Sequence, residues 1–359
     1  MIYINGYSLI SSIGSAEESV RSLRVGDIKL IELDSGAKYY KIPNSKPSDY
    51  YDLIERVIRE AITKAELSTD ELKDIALFLG TSSAKLPLNE TYAKESGEIL
   101  KDLNIDDMSE IVSKRVGIDG FRTIISTACT SSSNALIQAK EMIESGLISK
   151  AIVVGVELYN ELSIRGFESF MLLTRDKMKP FDRDRDGIVL GEAVSAILLS
   201  QKESRFEFRG GATKVDTTSI TAPTPENLAK VMNQAIEGAN ISPKDIRVIK
   251  THSTATRQND EAEAKGIHSL FGEELPKIVT LKPYIGHTMG ACGTNELVLL
   301  IESMRQGFIP KSINFKNIDP DCNIKPSLEE LSVESGYYLL NYFGFGGNNS
   351  SLVLKYIGE

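Results

Sequence analysis

The stretch Ile125–Leu136, ISTACTSSSNAL, sets one of only three cysteines among small hydroxylated residues. On its left, Phe121–Ile125 (FRTII) is a short β-favouring apolar run. On its right, Ala135, Leu136, Ala139, Met142 and Ile143 recur at helical spacing until Gly146 closes the run. Cys129 is therefore expected at a strand-to-helix junction. The exposed N–H groups of a helix N-terminus there favour thiolate over thiol. A free cysteine is most often a small buried filler, so the rest of the chain has to decide between filler and nucleophile.

The helix that follows Cys129 has an echo. Asn134–Lys150 (NALIQAKEMIESGLISK) and Asn295–Lys311 (NELVLLIESMRQGFIPK) match without a gap at Asn, Leu, Gly, Ile and Lys. Ahead of each copy, Leu67–Ser82 (LSTDELKDIALFLGTS) and Ile241–Thr254 (ISPKDIRVIKTHST) share a helix end, an Asp/Ser-rich turn and a strand. Two echoes in the same order predict a duplicated α/β unit with halves 1–202 and 203–359. Apolar runs at Ile75–Leu79, Ala151–Val156, Val194–Leu199, Val248–Thr251 and Ser351–Tyr356 alternate with helical patterns, as mixed α/β layers require. Ser83–Val112 has the least strand character and reads as a cap or interface insertion.

A chain of 359 residues with 41% hydrophobic and 25% charged residues can bury a large core. Its net charge of −9, with no basic tract, argues against nucleic-acid binding. The odd, widely spaced cysteines suit a reducing compartment rather than a disulfide framework. MIYINGYSLISSIGS lacks a basic leader and no apolar run has the length of a membrane span. The expectation is a cytoplasmic protein with no membrane partner.

Histidine is as sparse as cysteine: His252, His268 and His287 are all there are. His252 ends the strand run Ile246–Lys250, and His287 follows Ile278–Leu281 and introduces the second copy of the duplicated helix. Both fall at strand C-terminal ends, as Cys129 does, where open α/β sheets place their chemistry. His268 lies within the helical run Ala262–Leu270 and reads as structural. A thiol with two imidazoles is compatible with a hydrolytic Cys/His pair, a zinc site or a carbon–carbon bond-forming site. Zinc is disfavoured, since no C-x-x-C or H-x-x-x-H spacing occurs. A hydrolase needs one base and an orienting carboxylate or amide; two neutral imidazoles instead suit holding a thioester carbonyl oxygen while an enolate forms. Phe343–Asn349 (FGFGGNN) is a glycine turn before the last strand, able to aim N–H groups into a cavity.

Taken as an ordered set, TACTSSSNAL, PFDRDRDGIVLGEA, THSTATRQNDEAEAKGIHSLFG, LKPYIGHTMGACG and NYFGFGGNNSSLVL resemble the β-ketoacyl-acyl carrier protein synthases, condensing enzymes of the thiolase fold. The resemblance covers nearly the whole chain. It implies two α/β halves packed as α-β-α-β-α layers, and a decarboxylating Claisen condensation in fatty-acid, polyene or polyketide synthesis. Cys129 would carry the primer acyl group, and His252 and His287 would polarise the malonyl thioester. The N–H groups of Cys129 and Phe345 would hold the oxyanion, with Phe345 also a gate. The family pattern gives Lys282, partnered by Asp260 or Glu263, the task of orienting the histidines. Thr254 and Thr256 match the threonines that bind pantetheine, and Phe343 and Phe167 complete the substrate-binding set. No metal or other cofactor is implied, since phosphopantetheine arrives on the carrier protein. The implied partners are acyl carrier protein and a second subunit, in a homodimer or a heterodimer with a related ketosynthase-like chain. A non-catalytic chain-length-factor-like subunit is the alternative, and a thioesterase using Cys129 and His252 a third reading.

Several positions depart from the family pattern. Ser253 stands where Gly follows the first histidine, Pro283 where Ser follows the lysine, and Asn348 where Thr follows the glycines. The chain is also shorter than typical relatives ahead of Cys129. Cys292 and Cys322 read as structural. Carrier proteins are acidic, so Lys177, Lys179 and Arg165 are the docking candidates, while Arg183 and Arg185 are expected to bond within their own turn.

Overall fold

The computed structural model describes residues 1–99 and 104–358, and in it one strand order occurs twice. The first half contributes Tyr3–Ser11, Ala76–Gly80, Arg122–Ile125, Lys150–Glu157 and Ala193–Ser200 in chain order. Side by side they lie first, fifth, fourth, second, third. The first two pairings are antiparallel and the last two parallel. Phe206–Val215, Ile246–Lys250, Lys277–Val279, Gly336–Phe343 and Asn348–Tyr356 repeat this order and these senses. The two first strands meet antiparallel at Tyr3 and Glu207, joining the halves into one sheet path.

Helices cover and separate the two sheet halves in α-β-α-β-α layers, the arrangement of the thiolase fold. On one outer face, Ile54, Val57 and Ala61 of Tyr50–Lys64 pack with Met108 and Val112 of Asp106–Val116. On the other, Leu228 and Met232 of Pro225–Gly238 pack with Ala264 and Ile267 of Arg257–Phe271. Ser131–Glu144 and Cys292–Arg305, the two echoing helices, form the middle layer. Every residue from Cys292 to Met304 is buried, so this helix is enclosed all round rather than amphipathic. Burial of Leu297, Leu299 and Leu300 contributes about 1.5–3 kcal/mol each. The two central helices cross so closely that a Cβ on Gly293 would stand 2.2 Å from the Ser133 nitrogen. Small residues are therefore a condition of the crossing.

The second echo has a local cause. In Ser68–Glu71 and again in Ser242–Asp245 the acidic side chain reaches back to the serine N–H and hydroxyl. Each such turn launches the second strand of its half. The predicted strands form, with ends shifted by at most three residues; Tyr3–Ser11, Phe206–Val215 and Gly336–Phe343 had no counterpart in the sequence reading. Within Ser83–Val112, residues 100–103 lie outside the described residues. Met108 and Val112 belong to the outer core, so this part of the segment is not a cap. Leu86–Ser96 is mostly half-buried, with Pro87 fully buried, and its Glu90 carboxylate accepts the N–H groups of Glu161 and Leu162 at the start of the helix Glu161–Ser169. Among the described residues, no helix is long and apolar enough to cross a membrane.

Candidate active site

The turn Thr127–Thr130 answers why Cys129 sits among small hydroxyls. Thr127 and Ala128 are half-buried and Cys129 and Thr130 buried, so the backbone polar groups turned inward need internal partners. Ser131 Oγ accepts from the Thr127 N–H (2.9 Å) and donates to the Ala128 carbonyl (2.7 Å). Ala128 takes a left-handed φ of 52°, an unusual backbone for a residue with a side chain. That twist delivers Cys129 to the floor of a cavity of about 440 Å³.

Around Cys129 the cavity is walled by His252, His287, Phe343, Phe345, Thr254 and Thr256, with Phe167, Phe170 and Met171 toward its mouth. His287 Nε2 lies 3.1 Å from Cys129 Sγ. The two imidazoles meet edge to face, centroids 5.4 Å apart, and His252 also packs on Phe343 at 5.7 Å. Phe167 stacks on Phe345 at 5.6 Å. The Thr254 and Thr256 hydroxyls are 2.9 Å apart.

Each histidine is held by its backbone. The N–H groups of His252 and Ser253 donate to the two oxygens of Glu263, at 2.7 and 2.8 Å. Asp260, one turn earlier on the same helix, accepts from Ala255 (3.1 Å) and Phe181 (2.8 Å). Burial pushes Asp260 up to about 6 and Glu263 up to about 7. Ser253 stands at φ 48°, so the family glycine's position is left-handed here and the serine occupies it under strain. Pro283 falls in the first turn of the short helix Lys282–Ile285, where proline is tolerated. His287 then docks by its N–H on the Val189 carbonyl (2.8 Å).

Asp260 and Glu263 are thus occupied with backbone, and Lys282 has a different partner from the one expected. Its Nζ donates to Glu296 at 2.6 Å, and the other Glu296 oxygen takes Lys250. All three side chains are fully buried. Burial pulls Lys282 down, but Glu296 outweighs it and holds the ammonium above its ordinary value. Burial and the neighbouring Lys282 leave Lys250 below its own, since one carboxylate cannot compensate two cations. Burial, then the lysine charges, hold His252 and His287 well below the usual imidazole range, so both rings are neutral. Sequence reasoning missed Glu296 and Lys250. The signal available was Glu296 directly before the apolar run Leu297–Ile301 and Lys250 closing the strand Ile246–Lys250.

Cys129 itself departs from the expected thiolate. Burial pushes its thiol up to about 11, outweighing the backbone N–H groups of Phe345 and of Cys129 and the charge of Lys282, which act the other way. Cys292 is more than filler, because its Sγ lies 3.0 Å from His287 Nδ1. Cys322 is buried in another core cluster, and His268 faces the Asn323 carbonyl at 3.2 Å.

The glycine turn is tied to the start of the helix after Cys129 by Asn348. Its Oδ1 accepts from Thr130 Oγ1 (2.7 Å) and from Asn134 Nδ2 (2.9 Å). Gly347, at φ 75°, has no room for a side chain, since a Cβ would lie 2.0 Å from the Asp216 carbonyl. Of the two arginines in the PFDRDRDG turn, Arg185 is buried on Asp319 and Asp260, while Arg183 is exposed rather than internal. Lys179 pairs with Asp176 at 2.7 Å and Arg165 with Glu161 and Glu168. Lys177 is exposed and outside these pairs.

The chain matches models of two protein-family domains. The β-ketoacyl synthase N-terminal domain matches residues 40–205 and the β-ketoacyl synthase C-terminal domain residues 206–316. A 3-oxoacyl-[acyl-carrier-protein] synthase 2 from Mycobacterium leprae is 32% identical over 65% of this chain and 60% of its own length. One from Staphylococcus aureus is 28% identical over 98% of this chain and 94% of its own. Among solved structures, a ketosynthase in complex with its chain length factor from Xenorhabdus doucetiae superposes with a TM-score of 0.85. It is 27% identical, with 99% of this chain and 98% of that one covered.

Proposed function

The chain belongs to the β-ketoacyl synthase family, and on that premise we propose that it condenses a Cys129-bound acyl group with a malonyl thioester on acyl carrier protein, releasing carbon dioxide and a β-ketoacyl product. The observation that carries this is the meeting of Cys129, His287 and His252 in one cavity.

The first step exchanges thioesters: the Cys129 sulfur replaces the pantetheine sulfur on the primer acyl carbon, and the thiol proton leaves with the pantetheine. In the second, the bond between the malonyl carboxylate and its α-carbon breaks, and the electron pair moves into an enolate. N–H donors of the neutral His252 and His287 hold the enolate oxygen. A protonated ring would compete for the departing carboxylate, which is why the buried lysines matter. The enolate carbon then attacks the acyl carbon, and the N–H groups of Cys129 and Phe345 hold the resulting oxyanion. Collapse returns the Cys129 sulfur, which regains a proton.

Thr254 and Thr256 line the cavity where pantetheine amides need hydroxyl partners, and the stacked Phe167 and Phe345 rings cover the acyl site as a gate. Arg122–Ile125 ends the sheet path with Ile124 and Ile125 half-buried and Phe121 exposed. An open edge of this kind supports pairing with a second ketosynthase-like subunit. All three cysteines are free, which supports a reducing, cytoplasmic setting. Retention of Cys129 within reach of His287 favours catalysis over the chain-length-factor-like reading. Incubation with acyl- and malonyl-carrier protein, read by intact-protein mass spectrometry, tests the proposal. The expected result is acyl mass on Cys129 and a β-ketoacyl carrier protein; free acid or no product overturns it.

A further inference from the structure

The two nitrogens of His287 face two different thiols, Cys129 at Nε2 and Cys292 at Nδ1. Which nitrogen carries the proton decides whether the ring presents a donor or a lone pair to the cavity. A chain of buried groups behind the ring supplies the answer. Asn295 Nδ2 lies 3.1 Å from Thr288 Oγ1, and an amide nitrogen only donates. The Thr288 oxygen accepts there, and its single hydrogen points to Cys292 Sγ, 3.5 Å away. The sulfur, already accepting, has its own hydrogen to give, and His287 Nδ1 is 3.0 Å from it. Burial pushes the Cys292 thiol up to about 12, so that hydrogen stays in place at neutral pH.

We propose that Cys292 is a positioning residue: by donating its S–H to Nδ1 it holds His287 in the tautomer with the proton on Nε2. The Nε2–H then points at the Cys129 side of the cavity, where a thioester carbonyl oxygen needs a donor. The opposite tautomer would turn a lone pair toward that oxygen and oppose the enolate. This inference rests on the reading of His287 as a carbonyl-holding donor, and it places the histidine with the malonyl group rather than with Cys129 deprotonation. A neutral thiol is a weak donor, so Cys292 biases the tautomer rather than creating the site.

Nitrogen-15 NMR of histidine-labelled protein tests it directly, because the chain has only three histidines and His287→Ala identifies the signal. The expected wild-type spectrum has the His287 proton on Nε2. Cys292→Ala should shift it toward Nδ1 and slow malonyl decarboxylation about tenfold while Cys129 self-acylation stays within about twofold. Cys292→Ser, which retains a donor, should restore both. A proton on Nδ1 in the wild type overturns the proposal, whatever the variants do. So does a Cys292→Ala protein with unchanged tautomer and decarboxylation, or a serine variant no better than alanine. The wild-type spectrum needs no turnover. An Nε2–H ring in a protein that makes no β-ketoacyl product would overturn the condensing reading and support this one.

Discussion

The ammonium of Lys282 lies 2.6 Å from the carboxylate of Glu296, and both are sealed from solvent beneath the two histidines. Lys250 shares the same carboxylate, so the triad holds two cations and one anion. Replacing Glu296 by Gln leaves both cations uncompensated and should cost about 3–5 kcal/mol, the scale for breaking a buried pair. Lys250→Met keeps the Lys282–Glu296 pair and should stay within about 1 kcal/mol of the wild type. Urea unfolding measures both. Equal losses would mean that packing, not charge, makes the triad matter.

Cys129 should behave as a thiol at neutral pH. Its pKa is raised, to about 11, so the thiolate fraction grows as pH rises and is nearly complete only above that value. Alkylation by iodoacetamide should accelerate about tenfold per pH unit from neutrality toward pH 10. Cys129→Ala should abolish acyl transfer to the protein. A rate plateau below pH 8 would contradict the buried-thiol reading, and primer found on Cys292 or Cys322 would contradict the nucleophile.

Alanine at either His252 or His287 should reduce malonyl decarboxylation by about 10²-fold or more, the scale for losing such a donor. Some self-acylation should survive in both. Normal carbon dioxide release from both variants would remove the histidines from the malonyl step.

Ser253 at φ 48° invites a stability test. Ser253→Gly should raise the unfolding free energy by up to about 1 kcal/mol, because glycine adopts this backbone without penalty. Thermal unfolding that shows a loss instead would give the Ser253 hydroxyl, 3.3 Å from the Thr251 carbonyl, the larger share.

Carrier docking should depend on Lys177 more than on Lys179, whose charge Asp176 already occupies. Charge reversal at Lys177 should raise KM for carrier-bound substrate and flatten its salt dependence, leaving a short pantetheine thioester unaffected. Equal losses on both substrates would mean that the loop supports the fold.

Sequence by itself determined the junction that carries Cys129, the strand ends that carry His252 and His287, and the duplication. Each is written in local periodicity and in turn chemistry within a few residues, as in the paired Ser68–Glu71 and Ser242–Asp245 turns. What only the tertiary structure decided is which buried groups meet. Lys282 was matched to the acids of the His252 helix, yet Asp260 and Glu263 hold backbone N–H groups and Glu296 holds the lysine. Periodicity marks a position as buried without stating what faces it across a helix crossing. The protonation of Cys129 turns on the same limit. The helix N-terminus that favours a thiolate is local and legible, while the desolvation that outweighs it comes from segments distant along the chain, Phe167–Leu172, His252, His287 and Phe343–Phe345 among them, closing over the sulfur.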